Sequence, residues 1–398
     1  AVVAQGLAEA AQAGAENAAD RAEQAASDVE HMVSYAPQTL TPAEQGQARA
    51  NIGVGHTFKT VAALLADETM SYTPGEGLIE VGLGDIIEAQ GYRYEVAASD
   101  AVDTYGAAHI DTAGGVRLRV LPRSNGEVWL EAFGVKGDGS EDASWALEKA
   151  TSFYHCTLVN RGRFRLDSHV VVQPNDRRII GIGSGITRFL VNNAVGGITF
   201  EGNNVAIEGF SVICDYGPGS GFGIRRLGSY HRCVDVKVDH GATDGSKKFV
   251  KGYEVPSGGT PWVGYYENCL FTSTSEDCFY VGASGFNFNT FIGTSFRSAG
   301  RDGFRHEGVS SHGNIFVGCR AENNVGNGYQ IAGRRGNHFV WQGGYIEHNG
   351  AIGIYYGAGS SDPEHYAESS YADGVTFWEN GQGAVHAYKA RYFEEIGR

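Results

Sequence analysis

Four acidic residues of this chain recur in step. Asp277 is followed 25 positions on by Asp302, and Glu322 by Glu347. Two carboxylates held at a fixed separation are the equipment of acid–base cleavage of a glycosidic bond, at about 5–5.5 Å for retention and about 6.5–9.5 Å for inversion. The related elimination needs a base near a uronate carbon and a cation to neutralise its carboxylate. Both pairs are therefore candidate catalytic groups, and each also has a plain structural reading. Asp302 precedes Gly303 and Asn327, the next residue in line, precedes Gly328, as a ladder of turns requires. The glutamates, with Arg297 below them and Glu379 beyond, also fit a solvated outer face. His306, His348 and His365 stand alone, and no phosphate loop, Ser-His-Asp arrangement or metal-ligand spacing is present, so no metal or other cofactor is expected.

The acids recur because the chain does. Glu276-Asp277-Cys278-Phe279-Tyr280-Val281 aligns with Arg301-Asp302-Gly303-Phe304-Arg305-His306, with Gly326-Asn327-Gly328-Tyr329-Gln330-Ile331 and with Ala351-Ile352-Gly353-Ile354-Tyr355-Tyr356, each copy 25 residues after the last. A second marker, Asn289-Thr290-Phe291-Ile292-Gly293, returns at Asn314 and Asn337, and a third runs Glu322-Asn323-Asn324, Glu347-His348-Asn349, Glu379-Asn380-Gly381. Self-similarity at such a period marks stacked supersecondary units. The repeat alternates apolar and polar residues in short runs bounded by Gly, Asn or Asp, which is strand and turn with no room for a helix. The expected product is a solenoid of parallel strands, each coil about 4.8 Å above the one before. Phe279, Phe304, Tyr329 and Ile354 then form an inner ladder, and Tyr280, Arg305, Gln330 and Tyr355 the neighbouring outer one. Aromatic and polar ladders on a rigid outer face suit a long repetitive ligand such as a polysaccharide, whose rings stack on Tyr or Trp. Tyr280, Arg305, Gln330, Tyr355 and Trp262 are the candidate substrate-binding residues.

With 398 residues the chain can hold several domains. Its 58 glycines against 9 prolines fit many tight turns. The net charge of −15 argues against nucleic acid and anionic membrane surfaces as partners. Six cysteines without CxxC or zinc spacing read as buried free thiols. No apolar run reaches membrane-spanning length and no signal-peptide pattern is present; the chain starts without Met, so upstream sequence is expected.

Residues 1–36 place Ala1, Ala4, Ala8, Ala11, Ala15, Ala18, Ala22, Ala25, Val29, Met32 and Ala36 at alternating steps of three and four. That is a heptad seam, and alanine buries so little area that the helix gains most from packing against copies of itself. In 37–55, Thr41, Pro42 and Glu44 form a capping box for a short helix ending near Gly53. The segment Leu40–Gly53 (LTPAEQGQARANIG) resembles a motif that recurs in bacteriophage tail fibres. Residues 56–130 read as a small α+β module, with a helical turn at 61–66 and half-buried strands at 79–81, 92–96 and 116–120. At Gly91-Tyr92-Arg93-Tyr94-Glu95-Val96 it resembles the head module that precedes the shaft of tailspikes. Ala132-Phe133-Gly134-Val135-Lys136-Gly137-Asp138-Gly139-Ser140-Glu141-Asp142, followed by a helical run to Ala150, resembles the opening of the pectate-lyase-like β-helix family of tailspikes and polysaccharide lyases. That family has Thr-Asp-Asp where this chain has Ser140-Glu141-Asp142; the motif marks a fold, so Asp138 reads as structural. The helix after it can plug the open end of the coil. Within 131–398, Gly241–Gly264 and Gly357–Ala372 read as long loops interrupting the repeat, the first rich in cations and aromatics.

The resulting expectation is a mainly β protein. A parallel β-helix over 131–398 comes after an N-terminal coiled-coil stalk (1–36), a short helical linker (37–55) and a head module (56–130). Right-handedness and a three-sided cross-section are what the family resemblance implies. It also implies a homotrimer, which the heptad seam supports independently. The functional expectation is a phage tailspike or tail fibre, carried on the virion and attached to other tail or baseplate proteins through its N-terminal region. Outside the host cell it would bind bacterial capsule, exopolysaccharide or lipopolysaccharide and depolymerise it as a hydrolase or lyase. Two alternatives stay open: a purely adhesive or structural fibre, and a secreted pectate-lyase-type enzyme, against which the stalk and missing signal peptide count.

Overall fold

A computed structural model describes residues 57–75, 77–217, 219–241, 246–332, 335–357, 370–387 and 394–396. The heptad helix, the capping box, the tail-fibre motif and most of the loop after Gly357 lie outside the described residues. The chain divides into two compact units, 1–54 with 69–80, and 55–68 with 81–398. Of the first, the described part carries strands Met70–Ser71 and Ile79–Glu80, paired in parallel with Met70 and Ile79 buried.

The second unit begins with a five-stranded sheet in the order Thr57–Phe58, Ile86–Ala89, Tyr92–Val96, Arg117–Val120, His109–Asp111. Gln90 and Gly91, both at positive φ, make the two-residue turn that matches strand twist between Ile86–Ala89 and Tyr92–Val96. Helix Val61–Leu65 is capped by Thr60, whose Oγ1 accepts from the Ala63 amide. Two buried tyrosines tie this sheet to the start of the coil. Tyr94 Oη donates to the Ala132 carbonyl at 2.8 Å, and Tyr154 Oη accepts from the Ala108 amide at 3.0 Å.

The remainder is a parallel β-solenoid of about 9 turns and of right-handed type. Helix Ser144–Phe153 packs its Ala146, Leu147 and Ala150 face against strand Val170–Val172 at the start of the coil. The acids before it are structural. Asp138 Oδ1 accepts from the amide and hydroxyl of Ser140. Asp142 Oδ1 accepts from the Ser144 amide and hydroxyl and from the Asp167 amide one coil on.

Each full coil contributes one strand to a nine-stranded sheet and two to a nineteen-stranded sheet. Phe279, Phe304, Tyr329 and Ile354 are partners in one continuous register and all are fully buried, as the period required. The rings stack: Tyr253 on Phe279 at 4.6 Å, Phe279 on Phe304 at 5.3 Å. A second stack runs Tyr266, Phe291, Phe316, Trp341 at 4.5, 4.7 and 5.6 Å. The two stacks meet edge to face, as at Phe279–Phe291 (5.3 Å, 83°), an arrangement that ring quadrupoles favour. The six cysteines are unpaired and buried.

The bends repeat as well as the strands. Asn268, Gly293, Gly318, Gly343 and Gly374 all lie at φ between 51° and 63° at one corner, and Ser273, Ser298, Asn323, His348 and Glu379 between 47° and 59° at another. A left-handed residue turns the chain sharply between two short strands, and Gly and Asn tolerate it best. Inside the second corner Asn324, Asn349 and Asn380 form an amide ladder, each Nδ2 donating to the next Oδ1 at 2.8 Å. Gly241–Gly264, expected as an interrupting loop, instead contains strand Phe249–Val255 of the nine-stranded sheet. Its lysines hid the period because Lys251 faces outward while Tyr253 belongs to the core stack.

Candidate functional site: the outer strip of the nine-stranded sheet

The strand alternation that buries Tyr253, Phe279, Phe304 and Tyr329 turns their neighbours outward. Arg225, Glu254, Tyr280, Arg305, Gln330 and Tyr355 occupy one register line, one per coil. The structure puts Tyr280, Arg305, Gln330 and Tyr355 on one register line, with Gln330 buried at 8% exposure. It adds two acids that the repeat did not single out. Glu254 is only 7% exposed and accepts from Arg225 Nε at 2.7 Å and Lys251 Nζ at 2.8 Å. Glu307, its side chain 38% exposed, accepts from Tyr280 Oη at 2.9 Å and Arg305 Nε at 2.7 Å. Glu307 bonds Tyr280 directly, and Glu254 is linked to it through Lys251, whose Nζ lies 3.8 Å from the Tyr280 ring centroid. Glu254 was missed because it lies in the supposed loop, although Tyr253-Glu254-Val255 aligns with Phe279-Tyr280-Val281.

Three cations, Arg225, Lys251 and Arg305, are balanced by three acids, Glu254, Glu307 and Asp302. The strip is therefore neutral, dense in hydrogen-bonding groups and centred on an aromatic ring. Burial works against the Glu307 carboxylate, but hydrogen bonds from Arg305 and Tyr280 and the charge of Arg305 outweigh it and hold its pKa below the usual value. Burial, and then the adjacent Glu307, push the Tyr280 phenol up to about 12. Glu254 and Glu307 thus straddle one ring on a rigid sheet. Their backbones are two coils apart, about 10 Å, with Tyr280 in the coil between.

The four acids first picked out lie elsewhere in the coil. Asp277 and Asp302 are one coil apart and 0% and 1% exposed. Asp277 takes two bonds from Arg301, through Nε and Nη2, and its Oδ1 accepts the Asp302 amide. Burial raises the Asp277 pKa against the pull of Arg301. Asp302 Oδ1 accepts the Asn327 amide at 2.7 Å, its Oδ2 accepts Arg305 Nη1 at 2.8 Å, and Asn327 Oδ1 accepts the Ile352 amide. The ladder thus supports the strip from beneath, with Asp302 holding Arg305. Glu322 and Glu347 are register partners on the outside of the nineteen-stranded sheet, in line with Arg297, and belong to a different face.

Trp262 lies at the corner that leads from the strip toward strand Gly264–Glu267, 53% exposed. The same corner in neighbouring coils presents exposed Tyr230 and Phe288, each at positive φ like Val263. Left-handed backbone is costly for such residues and collects at functional sites. Arg226, fully buried, anchors the corner: its Nη2 donates to the carbonyls of Trp262 and Val263, and its Nη1 to Tyr266 Oη and Asn289 Oδ1. His306 is a core residue, its Nε2 2.6 Å from Ser311 Oγ.

No protein-family model matches the sequence, and no curated protein sequence matches it. Solved structures do match. The tailspike protein of Acinetobacter phage vB_ApiP_P1 superimposes with a TM-score of 0.54 at 14% identity, over 86% of this chain and 70% of that one. The gp42 tailspike of Acinetobacter phage vb_AbaP_AS12 gives 0.52 at 14% identity over 86% and 74%. The A-module of the Azotobacter vinelandii mannuronan C-5 epimerase AlgE6 gives 0.52 at 14% identity over 67% and 75%. With this likeness the solenoid is established as a parallel β-helix of the kind that phage tailspikes carry.

Proposed function

We propose that this chain is a phage tailspike that grips a bacterial surface polysaccharide along the outer strip of its nine-stranded sheet and cleaves it there. The observation that carries the reading is the strip itself: Glu254 and Glu307 held on either side of Tyr280 by Arg225, Lys251 and Arg305, on a backbone that repeats along one axis. Hydroxyl-rich sugar rings suit a neutral strip whose polar groups are already oriented, and a ring stacked on Tyr280 has a carboxylate to each side. In this reading Glu254 and Glu307 are the acid–base pair, and the stereochemistry of the product decides between inversion and retention. Asp302 positions Arg305 and is itself braced by Asp277, Gln330 and Tyr355 extend the strip along the polymer, and Trp262 guides the chain at the corner. The fold shared with phage tailspikes and with a mannuronan epimerase module supports a carbohydrate ligand. The heptad seam of 1–36 supports assembly into a trimer, with the N-terminal region attached to the phage tail.

The test is purified protein mixed with isolated host capsule or lipopolysaccharide. New reducing ends and falling viscosity are the expected outcome. Binding without fragments would reduce the protein to an adhesin, and fragments absorbing as unsaturated uronates would replace hydrolysis by elimination.

A further inference from the structure

A second, differently charged site lies on the nineteen-stranded sheet, in coils that precede the Tyr280 strip. Asp138, Arg163 and Arg188 occupy one register line, about 4.8 Å per step. Arg161 joins them around an open groove of about 590 Å³. Backbone forms the floor: Arg163 N donates to the Gly137 carbonyl, and a side chain at Gly162 would collide with that same carbonyl. Among the described residues, Arg161, Arg163 and Arg188 have no carboxylate partner. Asp138, the one acid at the groove, spends its Oδ1 on Ser140, and Arg188 Nη2 is held by the Gly185 carbonyl at 2.9 Å.

Like charges directly opposite on adjacent strands are destabilising. Several outward arginines elsewhere on this solenoid have acids beside them: Arg165 has Asp167, Arg225 has Glu254, Arg232 has Glu208 and Arg305 has Asp302. In a chain with 46 acids against 31 basic residues, three arginines gathered without one call for an anion from outside. Guanidinium groups bind planar oxyanions with paired hydrogen bonds. A nucleic acid, with a charge every ~1.7 Å, is repelled by the net charge of −15 more strongly than a polysaccharide whose carboxylates come at most one per sugar.

We propose that this groove is an accessory site for the carboxylate of an acidic sugar, anchoring an acidic polysaccharide at a distance from the cleavage strip. The proposal rests on the polysaccharide reading of the strip and adds the charge of one of its sugars. The probes are polygalacturonate oligomers, polyphosphate and neutral dextran, titrated against the full chain and the R163Q/R188Q variant. Polygalacturonate is expected to bind the unaltered chain in a salt-sensitive manner and about tenfold more weakly to R163Q/R188Q, the loss of one or two charge-assisted hydrogen bonds; dextran is expected not to compete. Should R163Q/R188Q not fold, R161Q, at an exposed position, serves the same comparison. Equal affinity of variant and unaltered chain overturns the site, as does failure of polygalacturonate to bind, or binding of polyphosphate alone. Cleavage is read separately through Glu307→Gln: lost cleavage with intact polygalacturonate binding leaves the groove standing, whereas cleavage that persists in Glu307→Gln removes the strip's assignment without touching the groove.

Discussion

Glu307→Gln separates chemistry from architecture at the strip. The side chain accepts from Tyr280 Oη at 2.9 Å and from Arg305. Glutamine keeps one acceptor oxygen for either donor but removes the charge. Arg305 is not stranded, because Asp302 still holds its Nη1 at 2.8 Å. The side chain is 38% exposed, so the structural loss is that of a solvent-screened pair, at most about 1 kcal/mol. A carboxylate that transfers a proton in the transition state contributes about 10²–10⁴ in rate, or roughly 3–5 kcal/mol. Glu307→Gln should therefore lower reducing-end release from the host polysaccharide at least a hundredfold. Its melting temperature should move little, and affinity measured by calorimetry should stay within a few fold. Glu254→Gln should lose as much activity, and Glu347→Gln, on another face, should lose none. Cleavage within about twofold of the unaltered chain in both Glu254→Gln and Glu307→Gln would refute the pairing around Tyr280. So would an activity loss matched by an equal loss of folded protein.

Three further outcomes are expected of the coil. Phe304 touches rings above, below and across the core, so Phe304→Ala should cost about 3–5 kcal/mol; hydrogen exchange should show faster opening in the coils around 304 first, and uniform protection would contradict the stacked core. Asp302→Ala removes the acceptor of the Asn327 amide, whose exchange protection should collapse, while Asp302→Asn keeps Oδ1 and should preserve it. Burial holds the His306 pKa down at about 3, below the usual value near 6.5. Below about pH 6.5 the unfolded chain takes up a proton that the folded chain refuses, so stability is full above that pH and falls toward pH 3, by ~1.4 kcal/mol per unit for this one group. The urea midpoint of His306→Gln should fall less between pH 7 and 5 than that of the unaltered chain; identical slopes would remove His306 as a contributor.

The period was legible in the sequence because a parallel coil repeats its environment. Identical positions face identical surroundings, so Phe279, Phe304 and Tyr329 stay apolar and Tyr280, Arg305 and Gln330 stay polar. That regularity determined the stack, its register and the inward and outward ladders. It also identified the turn positions, though not that two corners are lines of left-handed residues. Regularity also accounts for the acids that recur in step. Asp277 and Asp302 each give a side-chain acceptor to the amide of the next coil, as Asn324 and Asn349 give one to the amide of the preceding coil at the other corner.

The strip's own acids break the period. Glu254 sits 26 residues before Tyr280 in a stretch whose lysines mask the strand, and Glu307 stands just past the ladder. The groove line does keep the step, Asp138, Arg163 and Arg188 lying 25 residues apart, but that spacing does not say which of them lacks a partner. What the sequence alone determined is whatever one coil imposes on the next: strand pairing and the alternation of faces. Which charges find partners, which stay open to a ligand and which carboxylates flank one ring are settled only when the coils are stacked, because they depend on the distances and burial that stacking creates and not on the spacing along the chain.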